Sequence, residues 1–156
     1  MSIPKLKIRG FMVAAGWEQY DVKLPLPGTA HSAGYDFFSP VDVSIPVQAL
    51  NSPPFLVPTG VKAYMKGGEL LMLANRSSNP KRGLLLANGV GIIDQDFFGN
   101  VDNDGHIQFA YWNTSAEPVL LSRGDKIGQG IFLNYLGADE ARSDVKRKGG
   151  FGSTDS

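Results

Sequence analysis

The C-terminal segment Lys146–Ser156 combines three cations, a glycine-rich stretch, one aromatic ring and several hydroxyl side chains. Glycines let a backbone approach a ligand closely, cations and backbone N–H groups neutralise phosphate, and a ring can stack on a base. An ordinary disordered chain end, rich in Gly and Ser, is the alternative interpretation. The candidate ligand-binding residues of this tail are Arg147, Phe151, Gly152, Ser153 and Thr154.

A second segment, Gly89–Gly99, carries two acids between isoleucines and phenylalanines. If this segment is a strand, Asp94 and Asp96 share one of its faces. An acid beside apolar walls is poorly solvated, which favours a raised pKa or a nearby cation. Such a carboxylate can orient or deprotonate a water molecule. A hairpin whose acids only occupy the turn is the alternative.

Three further groups could contribute to a phosphate site. Arg76, Ser77 and Ser78 follow an apolar run and offer a guanidinium and two hydroxyl donors to phosphate oxygens, although a surface Asn-Pro turn is equally consistent. Gln129 lies where a turn enters a strand and is a candidate amide donor. Asp36 is a lone acid between aromatic residues, either a solubilising edge residue or an outer partner of a metal ion.

The composition narrows the classes of function. The 156 residues are 42% hydrophobic and 19% charged, and 15 basic residues balance 15 acidic ones, which argues against a general nucleic-acid-binding surface. There is no cysteine, so thiolate catalysis and cysteine-ligated zinc are excluded. No signal peptide, membrane-length apolar run or P-loop is evident, and we expect a cytoplasmic protein. His31 and His106 lack ligand spacing and are interpreted as surface residues.

Short apolar runs separated by 19 glycines and 10 prolines are typical of an all-β domain, either a sandwich or a distorted barrel. The one candidate helix, a weak one, is Asp139–Lys146, and a short turn could follow Pro80. We expect a single β domain over residues 1–140 and a C-terminal arm over 141–156. The predicted strands are Leu6–Ala14, Phe55–Met65, Leu70–Asn75, Leu84–Ala87, Ile107–Trp112 and Lys126–Leu133.

Five segments in order give the chain a resemblance to a known family. They read AGYDF, RSS, GVGIIDQDFFG, RGDKIGQ and GGFGST, between Ala33 and Thr154. One such motif would be weak evidence, but five in the same order resemble the trimeric all-β deoxyuridine triphosphatases (dUTPases), in a bacterial or phage version. The resemblance implies a distorted jelly-roll homotrimer whose active sites combine motifs of all three subunits and are closed by the C-terminal arm.

The implied activity is the hydrolysis of dUTP to dUMP and pyrophosphate, which supplies dUMP and keeps uracil out of DNA. The resemblance implies Mg²⁺ bound mainly to the triphosphate, with Asp36 touching a water of the metal shell. Asp94 would orient the attacking water. Phe97 would lie against the deoxyribose and exclude a 2′-hydroxyl. The implied substrate-binding residues are Arg76, Ser77, Ser78, Asn88, Gly91, Ile93, Phe97, Gln129, Arg147, Phe151, Gly152, Ser153 and Thr154.

The chain departs from the family pattern at several positions. Phe97 stands where the family usually has tyrosine, Asn75 replaces the usual proline before Arg76, and Asp155 replaces a glycine. The tail offers Lys146, Arg147 and Lys148 for one cationic role, of which Arg147 is our choice. The stretch Val101–His106 is longer and more acidic than expected.

Two other functions remain open at this point. A nucleotide-sensing module could use the same fold, with Asn100–His106 as a docking loop for a regulatory protein. A dCTP deaminase would require a catalytic glutamate near the hairpin, whereas the nearest glutamates in sequence are Glu69 and Glu117. No nucleic-acid or membrane partner is expected.

Overall fold

A computed structural model describes residues 6–141 and 143–150, and within them the chain is all-β, as predicted. Three short 3-10 helices, Glu18–Tyr20, Pro80–Arg82 and Gln95–Phe97, interrupt twelve described strands. The strands are β1 (Gly10–Val13), β2 (Leu26–Pro27), β3 (Tyr35–Phe38), β4 (Val43–Ile45), β5 (Phe55–Pro58), β6 (Val61–Tyr64), β7 (Glu69–Ala74), β8 (Leu84–Leu86), β9 (Gly91–Asp94), β10 (Gln108–Asn113), β11 (Val119–Leu121) and β12 (Lys126–Asn134). No helix in the described residues is long and apolar enough to cross a membrane.

The strands form antiparallel sheets that enclose one hydrophobic core. The largest sheet has the order β2-β3-β12-β7-β9, a second has the order β5-β10-β8, and β1-β6 and β4-β11 form two-stranded pairs. Along β7, buried Leu71 and Leu73 alternate with half-buried Leu70 and Met72, as the pleat of a strand requires. The core between the sheets is therefore filled by side chains at inward-facing strand positions, such as Phe37, Leu71 and Phe109.

The outer face of the five-stranded sheet is also apolar at its centre. Antiparallel pairing places Met72 opposite both Ile92 and Ile131, and Leu70 opposite Leu133. Directly paired residues lie on the same face of a sheet, so these side chains form one contiguous group. Ile92 is 51% exposed and Leu133 is 41% exposed.

The predicted strands are found, but with different limits. The run Phe55–Met65 is two strands, because the chain turns at Gly60 with a positive φ of 71° and the two halves pair with different partners. Of the first predicted strand, Leu6–Ala14, only the part that forms β1 is a strand in the structure. Five strands were missed, and each has four residues or fewer, which is too short for a clear periodic signal: β2, β3, β4, β9 and β11.

The predicted helix Asp139–Lys146 is wrong for the residues of that range that the structure describes, which carry no helix. Glu140 has a left-handed φ of 59°, which cannot belong to a right-handed helix. The short turn after Pro80 is confirmed as a 3-10 helix that ends at Gly83 with a φ of 82°.

The interpretation of His106 as a surface residue is wrong, whereas His31 is exposed as expected. His106 packs on Trp17 with ring centroids 5.1 Å apart, and its Nε2 accepts the Gly60 N–H at 2.9 Å. Burial lowers the pKa of His106 to about 4, because a charged imidazolium would be poorly solvated there. The neutral ring thus links Trp17 to the turn at Gly60.

Candidate active site

The hairpin that precedes and includes β9 opens into a pocket at the edge of the five-stranded sheet. Its strand ends at Asp94, and the following 3-10 helix turns the buried ring of Phe97 back towards the pocket. This turn places an acid beside an apolar wall. The pocket is lined by Leu73, Asn88, Gly91, Ile92, Ile93, Asp94, Phe97, Gln108, Arg147 and Gly150.

Asp94 and Asp96 are joined by one guanidinium rather than by strand alternation. Asp94 is the last residue of β9 and Asp96 lies in the 3-10 helix, so the conditional expectation of a shared strand face does not hold. Arg147 Nη2 donates to Asp94 Oδ2 at 2.5 Å, and its Nε donates to Asp96 Oδ1 at 2.7 Å. Of the two expectations for these acids, a raised pKa or a nearby cation, the structure shows the nearby cation, Arg147.

The described part of the tail lies across this hairpin. A Cβ at Gly150 would come within 2.5 Å of Phe97 Cε2, so the glycine backbone lies directly against the ring. Arg147 Nη1 donates to the Gly149 carbonyl at 3.2 Å, and the N–H of Asp102 donates to the Lys148 carbonyl at 3.2 Å. The acidic loop after Phe97 thus contacts the tail.

Arg147 is also distinguished from its two cationic neighbours. Its side chain is 20% exposed, whereas Lys146 and Lys148 are exposed residues. No ion pair of Lys146 or Lys148 occurs among the described residues. The choice of Arg147 among the three cations stays a prediction. Phe151, Gly152, Ser153 and Thr154 lie outside the described residues.

A second group of predicted residues lies at the other end of β7. Arg76 is half-buried and its Nη1 donates to the Lys126 carbonyl at 3.4 Å, while Ser77 and Ser78 sit in an exposed turn. Gln129, on β12, donates one amide proton to the Asn75 carbonyl at 3.0 Å.

Asp36 lies near Gln129, because β3 pairs with β12 and places the two residues opposite each other. Its carboxylate is 17% exposed and accepts from Lys126 Nζ at 2.8 Å. Sequence reasoning missed Lys126, although it belongs to the RGDKIGQ segment, because the pairing of β3 with β12 is not visible in the sequence. Among the described residues, no three acids or histidines cluster as ligands of a metal ion.

The two groups are well separated within one chain. Asp94 pairs with Leu70 and Gln129 pairs with Ala74, on strands that flank β7 from opposite sides. Leu70 and Ala74 are four residues apart along β7, and the two flanking strands are two strand spacings apart. The backbones of Asp94 and Gln129 are therefore about 16 Å apart. Both residues nevertheless lie on the outer face of the sheet, at opposite corners of the apolar group around Met72.

Comparison with known proteins decides the family. The family model described as dUTPase matches residues 20–155. The deoxyuridine 5′-triphosphate nucleotidohydrolase of Lactococcus lactis is 43% identical over 152 residues, covering 96% of this chain and 99% of the relative. The chain belongs to the dUTPase family.

Solved dUTPases show the same fold. The crystal structure of the dUTPase from Streptococcus mutans is 41% identical and matches with a TM-score of 0.74, over 83% of this chain and 98% of that one. A point mutant of the dUTPase from phage phi11 of S. aureus matches with a TM-score of 0.65 at 16% identity, over 89% and 98% of the two chains. Its structure describes the coordination of a structural Mg(II) ion in that protein. At that identity, the phage protein supports the fold alone.

Proposed function

We propose that the chain hydrolyses dUTP to dUMP and pyrophosphate, the activity named for its relative from L. lactis. The observation that carries the proposal is the position of Asp94. Its carboxylate is 48% exposed, at the end of β9, at the mouth of a pocket that has an apolar side and a polar side. Such a carboxylate can orient and deprotonate a water molecule for attack on a bound phosphate ester.

The hairpin pocket is proposed to bind the uracil and the sugar. Asn88 and the backbone around Gly91 and Ile93 would read the donor and acceptor groups of the base, which excludes cytosine by pattern and thymine by its methyl volume. The buried ring of Phe97 would lie against the deoxyribose and leave no room for a 2′-hydroxyl. Because Phe97 lacks the usual tyrosine hydroxyl, this exclusion would depend on ring volume alone.

The second group is proposed to hold the phosphates. Arg76 would offer guanidinium N–H groups, while Ser77, Ser78 and Gln129 would donate to the remaining phosphate oxygens. In the reaction, the water oxygen bonds to the α-phosphorus and the bond to the bridging oxygen of the leaving pyrophosphate breaks. Asp94 takes the proton of the water. Charge developing on the leaving group would be stabilised by these donors.

Mg²⁺ is the proposed cofactor and would be held mainly by the triphosphate. The residues fit this arrangement, because Mg²⁺ keeps several of its waters and one nearby carboxylate is enough for a contact through water. Asp36 supplies a hard oxygen beside Gln129, although Lys126 now pairs with it at 2.8 Å. A bound Mg²⁺ would neutralise phosphate charge as the bond to pyrophosphate breaks.

The active site is proposed to be shared between subunits of a homotrimer. Within one chain the backbones of Asp94 and Gln129 are about 16 Å apart, whereas a Gln129 from another subunit could lie closer to Asp94. Packing of copies through the apolar outer face around Met72, Ile92 and Leu133 would cover exposed apolar area and bring such groups together.

Residues 141–156 are proposed to act as an arm that closes an active site over the β domain of residues 1–140. The described part supports this role, since Arg147 reaches the pocket and Gly150 lies on Phe97. Phe151 would stack on the uracil, with Gly152 allowing close approach and Ser153 and Thr154 holding the distal phosphates. Closing such an arm excludes water and reopening releases product. A cytoplasmic location would give the enzyme access to its substrate.

The test is pyrophosphate release with Mg²⁺ from dUTP, dCTP, dTTP and UTP in parallel. We expect release from dUTP alone. Release from dUTP and UTP at similar rates would show that Phe97 does not exclude a 2′-hydroxyl. If no nucleotide is hydrolysed while dUTP still binds, the proposed activity is wrong and the chain is a nucleotide-sensing module.

The surroundings of Glu69 and Glu117 in this chain argue against the deaminase alternative. Glu69 is 4% exposed and bound by Arg9, whose Nη2 donates to Glu69 Oε1 at 2.6 Å. The Arg9 hydrogen bond lowers the pKa of Glu69, which is unsuited to proton transfer near neutral pH. Glu117 is exposed and lies between β10 and β11.

A further inference from the structure

We infer that Asn75 is a positioning residue that holds Arg76 and Gln129 in place for the triphosphate. The inference rests on the proposed function, in which these two residues bind phosphate oxygens. Asn75 itself is half-buried and follows the last residue of β7, directly before the exposed turn of Ser77 and Ser78. Its side chain holds this turn by hydrogen bonds.

The side chain of Asn75 fixes the backbone at Arg76. Its Oδ1 accepts the Arg76 N–H at 2.9 Å, and its Nδ2 donates to the Leu84 carbonyl at 2.9 Å. The first contact sets the direction in which the chain leaves β7. The second ties the same residue to β8 on the far side of the turn. The guanidinium of Arg76 therefore starts from a defined backbone position.

Two buried polar residues contact the side-chain amide of Asn75 on its core side. Asn79 Nδ2 donates to Asn75 Oδ1 at 2.8 Å, and the Tyr111 hydroxyl lies 3.2 Å from the same oxygen. Both partners are 1% exposed, and Asn79 Nδ2 also donates to the Ile127 carbonyl at 2.9 Å. The single hydroxyl proton of Tyr111 is shared between that carbonyl, at 2.8 Å, and Asn75 Oδ1. Buried hydrogen bonds of this kind have no competing water, so they specify one arrangement of the groups they join.

The carbonyl of Asn75 fixes the second phosphate-binding candidate. It accepts from Gln129 Nε2 at 3.0 Å, while the other end of the Gln129 amide is pressed against Gly34. A Cβ at Gly34 would overlap Gln129 Oε1, so a side chain there would force the Gln129 amide to move. The Gln129 amide thus lies between the Asn75 carbonyl and Gly34, which restrict its position.

A purely structural role is the competing explanation, and Asn113 offers a matched control. Asn113 is 1% exposed and thus more buried than Asn75, and its Nδ2 donates to the Ile45 and Glu117 carbonyls at 3.0 and 2.8 Å. Its Oδ1 accepts from the Ser115 backbone N–H. Asn113 therefore organises a turn of the same kind, but none of its contacts involves Arg76 or Gln129.

The experiment compares Asn75→Ala, Tyr111→Phe and Asn113→Ala with the wild-type enzyme. For each, the dissociation constants of a non-hydrolysable imido analogue of dUTP and of deoxyuridine are measured, together with Tm. Deoxyuridine has the base and sugar but no phosphate, so it reports the hairpin pocket alone. Tyr111→Phe removes one hydroxyl from the network and keeps the ring, which provides a milder variant if Asn75→Ala does not fold.

Asn75→Ala removes the side-chain bonds to Arg76 and Leu84 and keeps the backbone carbonyl that Gln129 contacts. We expect it to weaken the triphosphate analogue about tenfold, with deoxyuridine changed less than about twofold. Tyr111→Phe should shift the same ratio in the same direction by a smaller factor. Asn113→Ala should lower Tm and leave the ratio unchanged. Equal weakening of both ligands by Asn75→Ala, or an unchanged ratio in a folded variant, would overturn the inference. A wild type that binds deoxyuridine but not the analogue would instead overturn the proposed function.

Discussion

The acid end and the phosphate end of β7 are built in different ways. At the acid end, Asp94 and Asp96 are held by Arg147 from a distant part of the chain, and their side chains are 48% and 57% exposed. At the phosphate end, Arg76 and Gln129 are held by Asn75, which is in turn fixed by groups that are 1% exposed. One end depends on charges near solvent, and the other on buried neutral hydrogen bonds.

This difference suits two different tasks. Ion pairs near solvent are weak and screened by salt, so the guanidinium of Arg147 can exchange a carboxylate for a phosphate at little cost. Buried hydrogen bonds resist such exchange, which would keep the proposed phosphate donors in one place before substrate arrives. We therefore expect substitutions at the acid end to alter turnover, and substitutions at the phosphate end to alter affinity for the triphosphate.

The largest effect is expected for Asp94→Asn, which removes the proposed base and conserves volume. We expect kcat to fall by about 10³-fold while the affinity for an imido analogue of dUTP stays within a few-fold. Single-turnover kinetics and calorimetry measure the two quantities. Asp96→Asn is the matched control, because it also pairs with Arg147 but is not the proposed base. Loss of binding in parallel with turnover would mean that Asp94 holds the fold of the hairpin.

Mixing two inactive variants tests whether the two ends meet between subunits. At dUTP concentrations well below the KM of Arg76→Ala, Asp94→Asn and Arg76→Ala are each expected to be nearly inactive alone. In randomly mixed oligomers, about a quarter of shared sites would receive an intact Asp94 from one subunit and an intact Arg76 from another. We expect the activity to recover to about a quarter of the wild-type value after the two variants are unfolded together and refolded. No recovery in confirmed mixed oligomers would place both ends of the site in one chain.

A smaller effect is expected for Arg147→Ala. Its guanidinium is within reach of Asp94, where the substrate phosphates are proposed to lie, and charge-assisted hydrogen bonds carry about 1.5–3 kcal/mol. We expect kcat/KM for dUTP to fall by about 10- to 100-fold. Lys146→Ala and Lys148→Ala are the matched controls, since both remove an adjacent cation that is exposed. Equal losses in all three variants would show that the tail acts through net charge only.

The sequence predicts the acid end better than the phosphate end. Asp94 and the surrounding hairpin are recognisable because their residues are contiguous, and the all-β class follows from the Gly and Pro punctuation. The network beneath Arg76 is not visible, since Tyr111 and Ile127 come from strands more than thirty residues away and only pairing brings them together. The pairing of Asp36 with Lys126 is hidden for the same reason. The left-handed Glu140, which rules out the predicted helix, has no sequence signal either.

The smallest effect concerns stability on the acid side, through His106 next to the loop that contacts the tail. Its pKa is lowered to about 4 in the folded state from 6.5, so below pH 6.5 the unfolded chain binds a proton that the folded chain does not. Stability therefore falls as pH decreases, by about 2 kcal/mol from pH 7 to pH 5. Asp104 on the same loop stays charged in this range, because the Lys62 hydrogen bond lowers its pKa.

His106→Gln isolates this contribution, because glutamine can accept the Gly60 N–H without titrating. We expect the decrease in the free energy of unfolding between pH 7 and pH 5 to be smaller in this variant by about 2 kcal/mol, measured by urea unfolding at one protein concentration. His31→Gln, at an exposed histidine, should keep the wild-type pH dependence. The affinity for the triphosphate at pH 7 should not change in either variant, because neither histidine touches Asn75 or its partners. An equal pH dependence in wild type and His106→Gln would mean that the buried imidazole is already protonated above pH 5, and that the loop beside Asp94 tolerates a charge there.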